Sequence, residues 1–147
     1  MEPHVPEIAT VIQLAVAPVF LLTAIGTLIM ALNARLGRAV DRRRVLEQAL
    51  AERASVEADS ARAELAQIAR RIRCAYRAIL FAVLAALFVC LLIAGAFAGA
   101  FVATDLTRPI AALFVLAMLA LVASLVFFLR EVFLAVNTPR HVPRARG

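Results

Sequence analysis

Three long stretches without charged side chains dominate the pattern of apolar and polar positions along the chain. They are Ile8–Leu32, Ala78–Thr104 and Ile110–Leu129. About 20 apolar residues cross the hydrocarbon core of a bilayer as a helix, so each stretch is long enough to span it. Helices and closed barrels alone can pair their backbone groups in lipid, and three long runs cannot form a barrel. We therefore expect an all-α integral membrane protein with three transmembrane helices.

The segment between the first two spans, residues 33–77, is also predicted to be helical. No Gly or Pro occurs from Arg38 to Ala94, which favours continuous helix. Both ends of the segment enter the same membrane face, so the chain must reverse, and Ser and Asp at Ser55–Ser60 favour helix caps there. We expect an antiparallel helical hairpin whose coiled-coil-like seam consists of small and branched apolar residues: Leu36, Ala39, Leu46, Leu50, Ala61, Leu65, Ile68, Ile72 and Ala75.

The rest of the chain adds one turn and one tail. Asp105–Pro109 is predicted to form a tight turn, with Pro109 in the first turn of the third helix. That helix is expected to continue through Val136 and to stop near Asn137–Pro139, which leaves a basic tail, 137–147. The whole chain, 1–147, then forms a single membrane domain.

The distribution of arginine predicts which way the protein sits in the membrane. All sixteen basic residues are Arg; eleven lie in the hairpin segment and four from Arg130 onward, whereas only Arg108 lies on the opposite side. Basic residues in short loops stay in the cytoplasm. We expect a bacterial inner-membrane protein with its N-terminus outside and with its hairpin and C-terminus in the cytoplasm. Met1–Glu7 lacks the basic start of a signal peptide, so we expect the first span to be retained.

The first span carries small and polar residues at steps of four and three, as helix contacts in membranes often do. This pattern predicts a helix-packing face formed by Gln13, Ala17, Phe20, Ala24, Thr27 and Ala31. The candidate polar residues of this side are Gln13, Thr23 and Thr27. They suit an interhelical hydrogen bond or, alternatively, the lining of a polar pathway.

Composition bears on the class of function. The chain is 64% hydrophobic, well above a soluble domain, and has a net charge of +6. No Asp, Glu, Lys, Arg or His lies inside a predicted span, which argues against a proton-coupled carrier or an enzyme working within the membrane. No disulfide, metal or cofactor motif is present, since Cys74 and Cys90 are about 24 Å apart on one helix. Nucleic-acid binding is not expected, because six acidic residues are interleaved among the hairpin arginines.

The remaining candidate site is the cytoplasmic membrane interface, where three helix ends meet. Asp41 and Glu131 are expected to pair there with nearby arginines, in a network that sets the helix arrangement and binds anionic lipid head groups. The alternative is ordinary anchoring by solvated charges. The candidate residues are Asn33, Arg35, Arg38, Asp41, Arg73, Arg77, Arg130 and Glu131.

Several blocks of this sequence resemble the bacterial domain-of-unknown-function 2721 family. They are Ile12–Leu22, Asn33–Arg42, Arg70–Arg73, Ala78–Ile79 and Phe128–Val132. The resemblance extends over nearly the whole chain, and it implies a small multi-pass bacterial membrane protein. It implies no activity.

Two functions from different classes follow. We expect a non-enzymatic structural or interaction protein whose hairpin packs against itself or against a membrane-protein partner. The alternative is a subunit of an oligomeric channel or transporter, because Gln13, Thr23 and Thr27 cluster on one side of the first span.

Overall fold

Three long helices make up the structure, a computed structural model that describes residues 8–52, 58–101 and 106–136. Helix α1 is Ile8–Glu52, α2 is Ala58–Phe101 and α3 is Thr107–Val136. The described residues are all helical apart from Leu106, which confirms the predicted all-helical class. The predicted tail, 137–147, lies outside the described residues, as do Asp105 of the predicted turn and residues 55–57 of the predicted Ser55–Ser60 reversal. The rest of the turn is described, and Pro109 lies in the first turn of α3.

Two of the helices are much longer than a bilayer is thick. At a rise of about 1.5 Å per residue, α1 and α2 are roughly 65 Å long, about twice the hydrocarbon thickness. No residue that breaks a helix interrupts either one between Arg38 and Ala94. The first and second predicted spans therefore each continue directly into one half of the hairpin. We call residues 36–52 of α1 and 58–70 of α2 the arms.

Helix α2 lies between the other two helices and packs against both. The core cluster contains Ile25 of α1, Ala82, Ala85 and Val89 of α2, and Ala117 and Ala120 of α3. Small side chains dominate the contact because apolar lipid gives helices no hydrophobic drive to associate, so close van der Waals packing matters more. Gly99 continues this pattern, since a Cβ at that position would lie 3.4 Å from Leu106.

Helix α1 contacts α2 through a different face from the one predicted. Its buried apolar residues are Ile25, Leu32 and Ala39, whereas the predicted face is exposed at Ala17, Phe20, Ala24, Thr27 and Ala31. The predicted face makes no helix contact within the described chain, and its role as a packing face stays a prediction. The physical reason is that α2 already supplies small residues, so α1 can fill the space with larger branched ones.

Large apolar side chains cover the outer surface of all three helices. Phe20 and Met30 are each 73% exposed, and Leu119 is 60% exposed. A surface this apolar is unfavourable in water and suits a lipid solvent. All three helices are long and apolar enough to cross a membrane. The chain is therefore a multi-pass membrane protein.

Candidate functional site

One buried carboxylate joins the three helices at the end of the bundle where the arginines are concentrated. Glu131 of α3 is 3% exposed. Its Oε2 accepts a hydrogen bond from Nε of Arg35 on α1 at 2.9 Å, and its Oε1 accepts one from Nη2 of Arg71 on α2 at 3.0 Å. We call these three residues the Glu131 node. Each carboxylate oxygen thus has a charged donor from a different helix.

The pairing explains how an ionised group can be buried at this depth. An unpaired buried carboxylate would be destabilising by several kcal/mol, and good geometry with charged donors offsets that penalty. The two arginines are less buried than their partner, with side chains 32% and 23% exposed for Arg35 and Arg71. Their outer atoms can therefore still reach water or head groups. Without the arginines the carboxylate would be buried without a partner, whereas without the carboxylate the arginines would still be partly solvated.

All three residues of the node lie in the packing seams of their helices. On α2, Ile68, Arg71 and Ala75 continue at steps of three and four into the buried Ala78, Ala82 and Ala85. Glu131 continues the α3 series that begins with Ala117, Ala120 and Ser124 in the same way. The node is thus the polar layer of an otherwise apolar bundle.

Aromatic rings and a buried hydroxyl surround this layer. The guanidinium of Arg35 lies 5.4 Å from the ring centre of Phe128, a cation–π contact. One layer further into the bundle, Oγ of Ser124 donates a 2.7 Å hydrogen bond to the backbone carbonyl of Ala78. Together these contacts fix α3 against both of the longer helices.

A pair of stacked aromatic rings links α2 and α3 beside the node. Phe81 and Phe127 stack with ring centres 5.6 Å apart and planes 9° apart. The guanidinium of Arg77 lies 5.8 Å from the ring centre of the same Phe127. Because Arg77 and Phe81 are one turn apart on α2, both can contact that one ring.

The arms pair with each other beyond the node. Arg42 of α1 donates from Nε and Nη2 to Oε1 of Glu64 on α2, at 3.2 and 3.0 Å. Ala39 and Ile68 are buried between the arms. This antiparallel pairing agrees with the predicted helical hairpin.

Two arginine-lined clefts flank the node. The α1/α2 cleft has a volume of about 250 Å³ and is lined by Arg35, Arg38, Ala39, Arg42, Ile68 and Arg71. The α2/α3 cleft, of about 540 Å³, is lined by Arg70, Arg73, Cys74, Arg77, Arg130, Phe133 and Leu134. The first cleft is the more polar, and the second adds an apolar wall.

The structure brings together only some of the residues selected from sequence. Arg35 and Glu131 meet in the node, Arg38 lines the α1/α2 cleft, and the other three selected arginines line the α2/α3 cleft: Arg73, Arg77 and Arg130. Asn33 and Asp41 lie exposed on α1, and no ion pair joins Asp41 to another described residue. Arg71 was missed, although its place in the seam of Ile68 and Ala75 is a signal that sequence reasoning could have used.

The candidate polar residues of the first span lie on the outer surface. Gln13, Thr23 and Thr27 are exposed. The hydroxyl of Thr23 donates to the carbonyl of Val19 at 3.2 Å, and that of Thr27 donates to the carbonyl of Thr23 at 3.1 Å. Both hydroxyls are therefore satisfied within their own helix, and packing of this face against another chain stays a prediction.

Comparison with known proteins gives one finding. A family model described as "Protein of unknown function (DUF2721)" matches residues 15–141. No curated protein and no solved structure matches the chain.

Among the described residues, no group of three or more His, Cys, Asp or Glu side chains is arranged to hold a metal ion.

Proposed function

Given that the chain belongs to the DUF2721 family, we propose that it is a non-enzymatic membrane protein that binds a partner through its paired arms. One observation carries the proposal: α1 and α2 leave the apolar bundle as continuous helices and stay paired, through Arg42 and Glu64, beyond the Glu131 node. The node ties these helices to α3, so the arms extend from a fixed base. A fixed base suits arms that bind a partner, because their binding surface is then ordered before the partner arrives.

The proposed orientation places the arms in the cytoplasm of a bacterium, at its inner membrane. Along the sequence, fifteen arginines fall between the first two spans or after the third, and one, Arg108, falls between the second and the third. Reporter fusions at Asp105 and at Gly147 test this assignment. We expect an enzyme active only in the periplasm to work at Asp105 and one active only in the cytoplasm to work at Gly147. The opposite pattern would contradict the orientation.

Partner binding by the arms is tested by photo-crosslinking in native membranes. A photoreactive residue placed at Val45, which is 57% exposed on an arm, is expected to give one discrete adduct whose partner is identified by mass spectrometry. The matched control is the same residue at Leu119, which is 60% exposed on α3 and faces lipid in the proposed arrangement. The control is expected to give no discrete protein adduct.

The crosslinking experiment has two outcomes against the proposal. If Val45 yields only uncrosslinked monomer at native abundance, the arms present no partner surface. If Val45 and Leu119 give the same adducts, the crosslinks report random collision in the membrane.

Anionic lipid is the second partner we propose, and the α2/α3 cleft supports it. Four exposed arginines border this cleft beside Phe133, which is 61% exposed. Guanidinium groups suit a phosphate head group, while an aromatic side chain suits the adjoining acyl chain. The cleft therefore matches both ends of a lipid at the membrane interface.

A subunit of an oligomeric channel or transporter is the alternative. The supporting observation is that Gln13, Thr23 and Thr27 share one exposed side of α1, which could face another copy of the chain. Ion flux through purified protein in liposomes separates the two functions. Flux that is lost when Gln13 is changed to Leu would support the channel, whereas impermeable liposomes would favour the interaction protein.

A further inference from the structure

We infer that the α1/α2 cleft is a binding site for a phosphate group. The site is separate from the α2/α3 cleft, and the inference does not depend on which protein the arms bind. Three observations support it: the number of arginines that converge there, the way in which they are held, and one buried donor without an acceptor.

The first observation is the excess of positive charge in a small space. Arg35, Arg38 and Arg42 come from α1 and Arg71 comes from α2, and all four line a cleft of about 250 Å³. The two carboxylates that contact them, those of Glu64 and Glu131, compensate only two of the four charges. Two positive charges are therefore available to an anion in the cleft.

The second observation is that most of these arginines are held in place before any ligand arrives. Arg35 and Arg71 are fixed by the carboxylate of Glu131, and Arg42 is fixed by Glu64. A guanidinium group offers several donors in a planar fork that matches phosphate, and each of these pairs uses only some of them. Because these side chains are already ordered, less side-chain entropy is lost when an anion binds between them.

The third observation is a buried donor of Arg71. Its Nε is buried and has no hydrogen-bond partner among the described residues. Buried donors are nearly always satisfied, so an exception calls for an explanation such as a bound ion. A phosphate seated against Arg71 would bring acceptor oxygens to this group. By contrast, arginines that only anchor a helix at the membrane need no such arrangement.

The position of the cleft admits two sources for the phosphate. Arg35 lies three residues beyond Leu32, where the apolar run of α1 ends, and Arg42 lies about 10 Å further along the helix. The cleft thus extends from the head-group layer toward the aqueous side. The phosphodiester of an anionic phospholipid and a soluble phosphate compound offer the same oxygens, so the experiment has an arm for each.

The test uses the full chain in nanodiscs and two variants with the same change of charge. Arg38→Gln removes an exposed arginine of the cleft that lies outside the node, so folding should not depend on it. Arg44→Gln removes an exposed arginine of the same helix that does not line the cleft, and it is the matched control. The melting temperature of each protein without added anion serves as the check on folding.

In the soluble arm, inorganic pyrophosphate is titrated into protein in phosphatidylcholine nanodiscs, with sodium chloride at equal ionic strength as the reference. In the lipid arm, phosphatidylglycerol is increased in the nanodiscs without added pyrophosphate. We expect the wild-type melting temperature to rise in at least one arm. Arg38→Gln should raise the midpoint concentration of that rise about tenfold, and Arg44→Gln should change it less than about twofold.

Each outcome decides the inference. A selective effect of Arg38→Gln in the soluble arm identifies a soluble phosphate compound as the ligand, and a selective effect in the lipid arm identifies a head group. If wild type responds in neither arm, or if both variants shift the midpoint equally, the cleft is not a phosphate site. The crosslinking experiment at Val45 does not depend on this result, so the two proposals can fail separately.

Discussion

Replacing both arginines of the Glu131 node with methionine is expected to lower the free energy of unfolding by about 3–5 kcal/mol. In the Arg35→Met, Arg71→Met double variant, a carboxylate that is 3% exposed loses the donors of both its oxygens. Methionine keeps the helix and much of the side-chain volume, so the loss reports the buried charge. Thermal unfolding in a mild detergent measures it.

The decisive comparison adds Glu131→Met to the double variant. Replacing all three charges with apolar residues removes the uncompensated carboxylate, so we expect most of the lost stability to return. The matched control is the Arg44→Met, Arg70→Met double variant, which takes the same charges from exposed positions on the same two helices and should stay near wild type. A triple variant no more stable than the double would show that the node does not work as a buried ion-pair layer.

Ala82→Leu is expected to destabilise the bundle by about 1–3 kcal/mol, since it adds bulk to a fully packed site. Ala82 has no exposed surface and lies in the cluster formed by all three helices, with Ile25 and Ala117 among its members. A larger side chain there must push at least one helix away from α2. Unfolding in detergent again provides the measurement, with migration on a sizing column as a check on the oligomeric state.

Ala94→Leu on the same helix is the control for this substitution. Ala94 is exposed, so leucine there adds the same number of apolar atoms without meeting another described helix. Both variants make α2 equally more apolar, and the difference between them therefore isolates packing. Equal stabilities would contradict the close packing of α2 at Ala82.

The sequence was sufficient to predict the elements of the fold but not the faces that pack. The number of helices followed from three uncharged runs, and the helical hairpin followed from the absence of Gly and Pro after Arg38. The face by which α1 contacts α2 was not predicted, because the small residues pointed to Ala17 and Ala24, whereas Ile25 and Leu32 are the buried ones. One helix alone does not show whether it or its partner supplies the small side chains.

The sequence predicted that an ion-pair site would lie at the ends of the helices, but it identified only some of the residues that form the site. Glu131 and Arg35 were selected because each lies just beyond an uncharged run, where helix ends meet at one depth. Asp41 was selected with them, although it lies nine residues beyond Leu32, and it is exposed on α1. The criterion gives depth along the helix but not direction around it. Direction follows from the seam, in which Arg71 is in phase with Ile68 and Ala75 whereas Asp41 is out of phase with Leu32 and Ala39.

The shared carboxylate also has a consequence for how the molecule is made. Arg35 and Arg71 precede Glu131 by 96 and 60 residues, so a growing chain contains both cations long before their common anion. Helices α1 and α3 flank α2 and hardly touch each other, so Glu131 is a main link between them. The first two spans must therefore wait in the bilayer with that layer open, and arrival of the third completes it. Assembly of this protein therefore has a defined late step, at which α3 brings the carboxylate that Arg35 and Arg71 share.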